Sequence, residues 1–86
     1  MLHVIAVEYV EDKKLNISFD DGNSGVIDLS EHLIGPVFEP LHSDDEFAKV
    51  VLDEELETIV WPNGADFAPE FLRDLLLDKN PNKRFA

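Results

Sequence analysis

The sequence predicts an α+β fold: a small antiparallel sheet, made of a three-stranded meander plus a hairpin, packed by a C-terminal helix. Three observations carry that prediction. Leu15, Ile17 and Phe19 alternate with Asn16, Ser18 and Asp20, the period of two that a half-buried strand requires. The run Asp20-Asp21-Gly22-Asn23-Ser24-Gly25 is turn chemistry between two apolar segments, with glycines available for positive φ. Phe71, Leu72, Leu75 and Leu76 fall on one stripe at helical spacing.

Taken in order, Leu2 to Val10 is rich in valine and isoleucine and reads as a strand. Its apolar residues occupy both parities, which predicts burial on much of both faces. Glu11 to Lys14 is a polar turn, and Val26 to Leu29 closes the meander after the glycine-bearing turn. Ser30 is placed to cap a short helical turn through Leu33, which Gly35 and Pro36 stop. Residues 36–42 form an irregular connection with apolar Val37, Phe38 and Leu41. Ser43-Asp44-Asp45-Glu46 has the spacing of a capping box, in which the Ser43 hydroxyl and Glu46 carboxylate each take a free backbone N–H. Val50-Val51-Leu52 favours a strand, Asp53 to Leu56 a turn, and Glu57 to Trp61 the returning strand, for about five strands in all. Pro62-Asn63-Gly64 breaks that strand. Pro69 suits the first turn of a helix over 69–78, and Pro81 prevents its extension. Residues 1–78 are thus expected to form a single α+β domain, followed by a basic tail over 79–86.

Length and composition bound the function. Eighty-six residues with 44% hydrophobic side chains make one folded domain and not a disordered acidic segment. No apolar run approaches the ~18 residues needed to cross a bilayer, and Met1-Leu2-His3-Val4 shows no secretory pattern. The absence of cysteine excludes disulfides, thiolate zinc sites and a cysteine nucleophile. A cytoplasmic protein is the resulting expectation. Seven basic against 19 acidic side chains give a net charge of −12. Residues 1–60 hold 15 acidic and 3 basic side chains, whereas residues 61–86 hold 4 of each. Such a body repels phosphate backbones and anionic membranes and attracts cations or a basic protein, besides keeping the chain in solution.

The residues offer little for catalysis. Asp20 to Ser24 carries oxygen ligands suited to calcium, but Gly22 leaves the third position of an EF-hand loop empty. A hairpin turn accounts for the segment. His3, His32 and His42 form no ligand motif and lie on three separate segments. Ser18, Ser24, Ser30 and Ser43 lack a nucleophile elbow, and no glycine-rich loop opens a helix. The expectation is a chain that is not an enzyme and holds no cofactor or metal.

The most distinctive stretch runs from Thr58 to Leu72: a strand ending in Trp61, an Asn63-Gly64 turn, Asp66, and a helix begun by Pro69 and Glu70. Trp61, Asn63, Gly64, Ala65, Asp66, Pro69 and Glu70 resemble the segment of the small bacterial proteins grouped as domain of unknown function 2442. Phe47, Val50, Leu52 and Asp53 are similar to that family's preceding strand. The resemblance implies an α+β domain of unassigned activity, standing alone or fused to a helix-turn-helix domain. For some members it implies a place in gene pairs of toxin–antitoxin type. It supplies no catalytic residues. The short stretch after the predicted helix leaves no room for a DNA-reading domain, so no direct nucleic-acid binding is expected. Three cations, Lys79, Lys83 and Arg84, make a weak phosphate contact against an acidic body.

Elementary chemistry also gives the motif scaffold roles. Trp61 supplies a large apolar body, Gly64 a positive φ, and Asp66 an acceptor for N–H groups near the helix start. The functional expectation is a noncatalytic protein-interaction or accessory regulatory module, self-associating or bound to a protein partner. The alternative is a small-ligand or divalent-cation binder using the acidic turns.

Overall fold

The computed structural model describes residues 1–77. Val4–Glu11 (β1), Lys14–Phe19 (β2) and Ser24–Asp28 (β3) form an antiparallel sheet in the order β1-β2-β3. Val51–Asp53 (β4) and Thr58–Val60 (β5) form a separate two-stranded hairpin. A short 3-10 helix over Glu39–His42, a one-turn helix Asp44–Phe47 (α1) and the C-terminal helix Pro69–Leu77 (α2) complete the fold. The predicted α+β class holds, with the five strands divided into three and two. The predicted tail over 79–86, like Asp78, lies outside the described residues.

The period of two in β2 sets the core. Leu15, Ile17 and Phe19 are all buried, and Leu15 faces Ile27 across the β2–β3 ladder. Onto this face pack Leu29, Leu33, Leu41, Phe47, Ile59 and Trp61, with Leu72 and Leu76 from α2. Val4 N–H donates to the Glu57 carbonyl at 3.0 Å, which joins the start of the meander to the hairpin.

Three local expectations are corrected. The first concerns β1, which is not buried on both faces: Ile5 and Val10 are 55% and 45% exposed. β1 is an edge strand, and its register with β2 slips between Val4 and Ala6 and again between Tyr9 and Glu11. Each slip turns an apolar side chain outward. Ser30, the second case, caps no helix. Asp28 Oδ1 instead accepts the Ser30 N–H at 2.8 Å, and a single turn closes from His32 N–H to the Leu29 carbonyl.

The third correction is the capping box, which does not form. Ser43 precedes α1 without a side-chain cap bond. Asp44 is drawn to the Lys13 ammonium, and Glu46 pairs with Lys49 at 2.9 Å. Lys13 also sits 5.8 Å from the Phe47 ring centroid, a favourable cation–π position. With Phe47 buried, α1 is set by that anchor more than by its cap.

Candidate functional site

The segment from Trp61 to Glu70 lies where the hairpin, the 29–42 connection and α2 meet. Trp61 is 2% exposed. Its indole Nε1–H donates to the Phe47 carbonyl at 2.8 Å, the partner that a buried tryptophan needs. Its ring packs on Phe47 at 5.5 Å and edge-on against Phe67 at 5.9 Å. Phe67 in turn stacks on Phe38 at 4.9 Å and on Phe71 at 5.3 Å. Tyr9 and His32 close the two ends of this aromatic chain, against Phe47 and Phe71. Sequence reading identified Trp61 but not its acceptor or the stack, because these partners lie far along the chain.

The turn after Trp61 is closed twice by backbone. Gly64 N–H donates to the Trp61 carbonyl and Trp61 N–H to the Ala65 carbonyl, both at 2.9 Å. Gly64 has φ of 90°, and a Cβ there would meet nothing within 4 Å. The glycine is therefore required by backbone conformation and not by crowding. Asn63 works in both directions. Its Oδ1 accepts the Ala65 N–H at 3.1 Å, while its Nδ2 donates to the Val37 carbonyl at 2.8 Å. That second bond sews the motif turn to the 34–37 loop.

The roles of the remaining motif residues are simpler. Asp66 pairs through its backbone with Val60. Among the described residues its carboxylate makes no helix-capping hydrogen bond, so the cap expected of it is not formed. Thr58, buried in β5, donates its hydroxyl to the Phe67 carbonyl at 2.5 Å and fixes the chain between Asp66 and Pro69. Pro69 and Glu70 open α2, with the Leu72 N–H donating to the Ala68 carbonyl at 3.2 Å. A carboxylate at Glu70 faces the positive end of the helix dipole.

The acidic turns use their carboxylates on their own backbones. Asp21 Oδ1 accepts the Asn23 N–H at 3.0 Å, and Asp53 Oδ1 accepts the N–H groups of Glu55 and Leu56 at 2.9 Å. With Asp28 to Ser30 and Asn63 to Ala65, this makes four turns closed by a side-chain oxygen two residues before the donor. The Asn23 N–H holds the Asp21 carboxyl below its ordinary value, and Asp21 Oδ2 also accepts from Arg73 at 3.1 Å. The Ser30 N–H does the same for Asp28.

A carboxyl whose folded pKa is depressed binds protons more readily in the unfolded chain. Its contribution to stability is present above the ordinary value of 3.8 and is lost as the pH falls through the lower folded value. Asp28→Asn is expected to flatten that acid-side loss. Urea midpoints measured at neutral pH and again below 3.8 check it. An unchanged pH slope in the variant would remove Asp28 from the account.

The histidines are dispersed, as their sequence positions suggest. His3 Nδ1 donates to Glu57 Oε2 at 2.6 Å, with Asp20 Oδ2 at 3.3 Å, and His42 Nε2 lies 2.8 Å from the Leu33 carbonyl. Among the described residues, no group of three or more histidine, aspartate and glutamate side chains is arranged to hold a metal ion. No described helix is long and apolar enough to cross a membrane.

Comparison with curated proteins and with solved structures gives no match. A family model described as "Protein of unknown function (DUF2442)" matches residues 4–76. That span takes in the meander, the hairpin, the whole Trp61-to-Glu70 segment and nearly all of α2. The chain therefore belongs to the DUF2442 family of proteins of unknown function.

Proposed function

We propose that this protein is a noncatalytic interaction module, an accessory regulatory domain of a bacterial cytoplasm that associates with itself or with a protein partner. The observation that supports the reading most is β1. It is an edge strand that exposes Ile5 and Val10 at its two register slips. Beyond the Val4 bond to the hairpin, no described strand pairs with its outer side. Unpaired edges recruit further strands, and a domain of this size gains stability from covering apolar surface. Glu8 and Glu11 lie on the same strand, so charge opposes pairing at low ionic strength and salt strengthens it by screening. A role in a toxin–antitoxin-like gene pair fits a small protein that works through partners.

Light scattering across a salt series tests the self-associating form. The expected result is a mass above that of the monomer that rises with salt. A monomer mass at high concentration and moderate salt would overturn it. Calorimetric titration with calcium, magnesium, manganese and zinc is the companion measurement. Tight stoichiometric binding would favour a cation-binding protein instead.

A further inference from the structure

We propose that the rim formed by the 34–37 loop and the Pro62–Gly64 turn is a docking surface for a cationic protein segment that carries an apolar side chain between lysines or arginines. The inference rests on the interaction-module reading but places contact on a surface other than β1. Two ties make the rim one rigid unit. Asn63 Nδ2 donates to the Val37 carbonyl at 2.8 Å, and Phe38 stacks on Phe67 at 4.9 Å. The loop is itself tightly turned, with the Gly35 carbonyl accepting from both Phe38 and Glu39 at 3.1 Å. On this ordered frame Ile34 is 77% and Val37 45% exposed, beside exposed Pro36 and Pro62. An ordered apolar surface loses little entropy on binding, which favours its use as an interface.

Charge identifies the occupant. Between Leu15 and Leu72 the sequence holds 14 acidic residues and a single basic one, Lys49. Each described lysine and arginine is already paired with a carboxylate of its own chain: Lys13 with Asp44, Lys14 with Glu11, Lys49 with Glu46 and Arg73 with Asp21. Glu39 follows Phe38 and Asp66 precedes Phe67, so both flank the stack, and neither is engaged by an ion pair among the described residues. Among the described residues no lysine or arginine is left over to meet that charge, and a cationic partner segment would supply it. A second copy would bring its own negative charge to the same rim, and like charges across an interface are costly. Exposed apolar anchors with the exposed Glu39 and Asp66 next to the Phe38–Phe67 stack match an apolar side chain flanked by cations.

The test uses the full ¹⁵N-labelled chain and a synthetic peptide with a central leucine pair flanked on both sides by lysines. Controls replace the lysines with glutamates, or the leucines with glycine and serine. The expected result is amide shift changes at residues 34–39 and 62–66 with the first peptide alone. Ile34→Asp combined with Val37→Asp should weaken binding by about tenfold. Both residues are exposed, so the double variant should keep the wild-type thermal midpoint; Ile34→Ala with Val37→Ala serves in its place if it does not. Three results would overturn the proposal: no shift changes, shifts spread over the acidic turns at 20–25 and 53–57 and indifferent to the substitutions, or rim shifts that grow with protein concentration without peptide. The last would make a second copy the occupant. Salt-strengthened self-association that survives the double variant, together with the first or second of these results, would leave the interaction module standing while the rim assignment falls.

Discussion

Trp61→Ala is expected to cost the protein about 4–6 kcal/mol of stability. Removing a large buried aromatic costs about 3–5 kcal/mol, and here the ring touches both Phe47 and Phe67. The lost indole hydrogen bond adds about 1 kcal/mol. That addition is modest because the Phe47 carbonyl keeps a second donor, Val50 N–H at 3.3 Å. A domain of this length holds roughly 0.05–0.15 kcal/mol per residue, so the loss takes up most or all of its stability at the lower end. Trp61→Phe separates the two contributions. It keeps much of the ring and loses the N–H, and should fall between wild type and the alanine variant. Urea unfolding followed by far-ultraviolet circular dichroism reads both, without relying on the tryptophan itself. Equal midpoints for Trp61→Ala and Trp61→Phe would show that the aromatic chain is not what holds the hairpin to α2.

The fold was legible wherever one face of one element decides the pattern. In β2 every second residue is buried, and the sequence shows it because strand geometry alone imposes that period. β1 was less legible for the same reason in reverse. Its two register slips depend on pairing with β2, so counting parities along β1 alone buries Ile5 and Val10, which are exposed. Ser43 teaches a related lesson. A capping box is a local rule, but Lys13, distant in sequence, claims Asp44, and Lys49 claims Glu46.

The candidate site divides along the same line. Gly64 was readable because a turn after a strand asks for positive φ, and it has φ of 90°. The link from Asn63 to Val37 spans 26 residues, and nothing local in either segment announces it. The Phe38–Phe67–Phe71 stack is equally silent in sequence, since each ring satisfies an ordinary apolar position in its own element. The abundance of acid had a partly local origin that could have been found. Asp21, Asp28 and Asp53 each stand two residues before the N–H they accept, the spacing of a side-chain-closed turn. A stock of carboxylates that suggested cation binding is in these places turn chemistry.

Helix α2 offers the second large effect, and it tests whether a stripe read from spacing is also an energetic face. Leu72 is fully buried and Leu76 nearly so, while Leu77 is 55% exposed on the opposite side. Leu72→Ala removes most of an isobutyl group from the contact with β3 and the core cluster. Such truncations cost about 2–5 kcal/mol, the range reflecting how far the site collapses. Collapse is limited here because rigid aromatic neighbours precede the helix and Arg73, pinned to Asp21 at 3.1 Å, holds its middle. A loss in the upper half of that range is therefore expected. Leu77→Ala makes the same chemical change on the same helix and should shift stability by no more than about 0.5 kcal/mol. Chemical denaturation of the two variants side by side cancels helix propensity, since both exchange leucine for alanine. Comparable losses at the two positions would mean that α2 is held by its own helical tendency and not by the face it presents to the sheet. A large loss at Leu72 alone would place the docking energy of α2 in that buried stripe, which shares one core with Trp61.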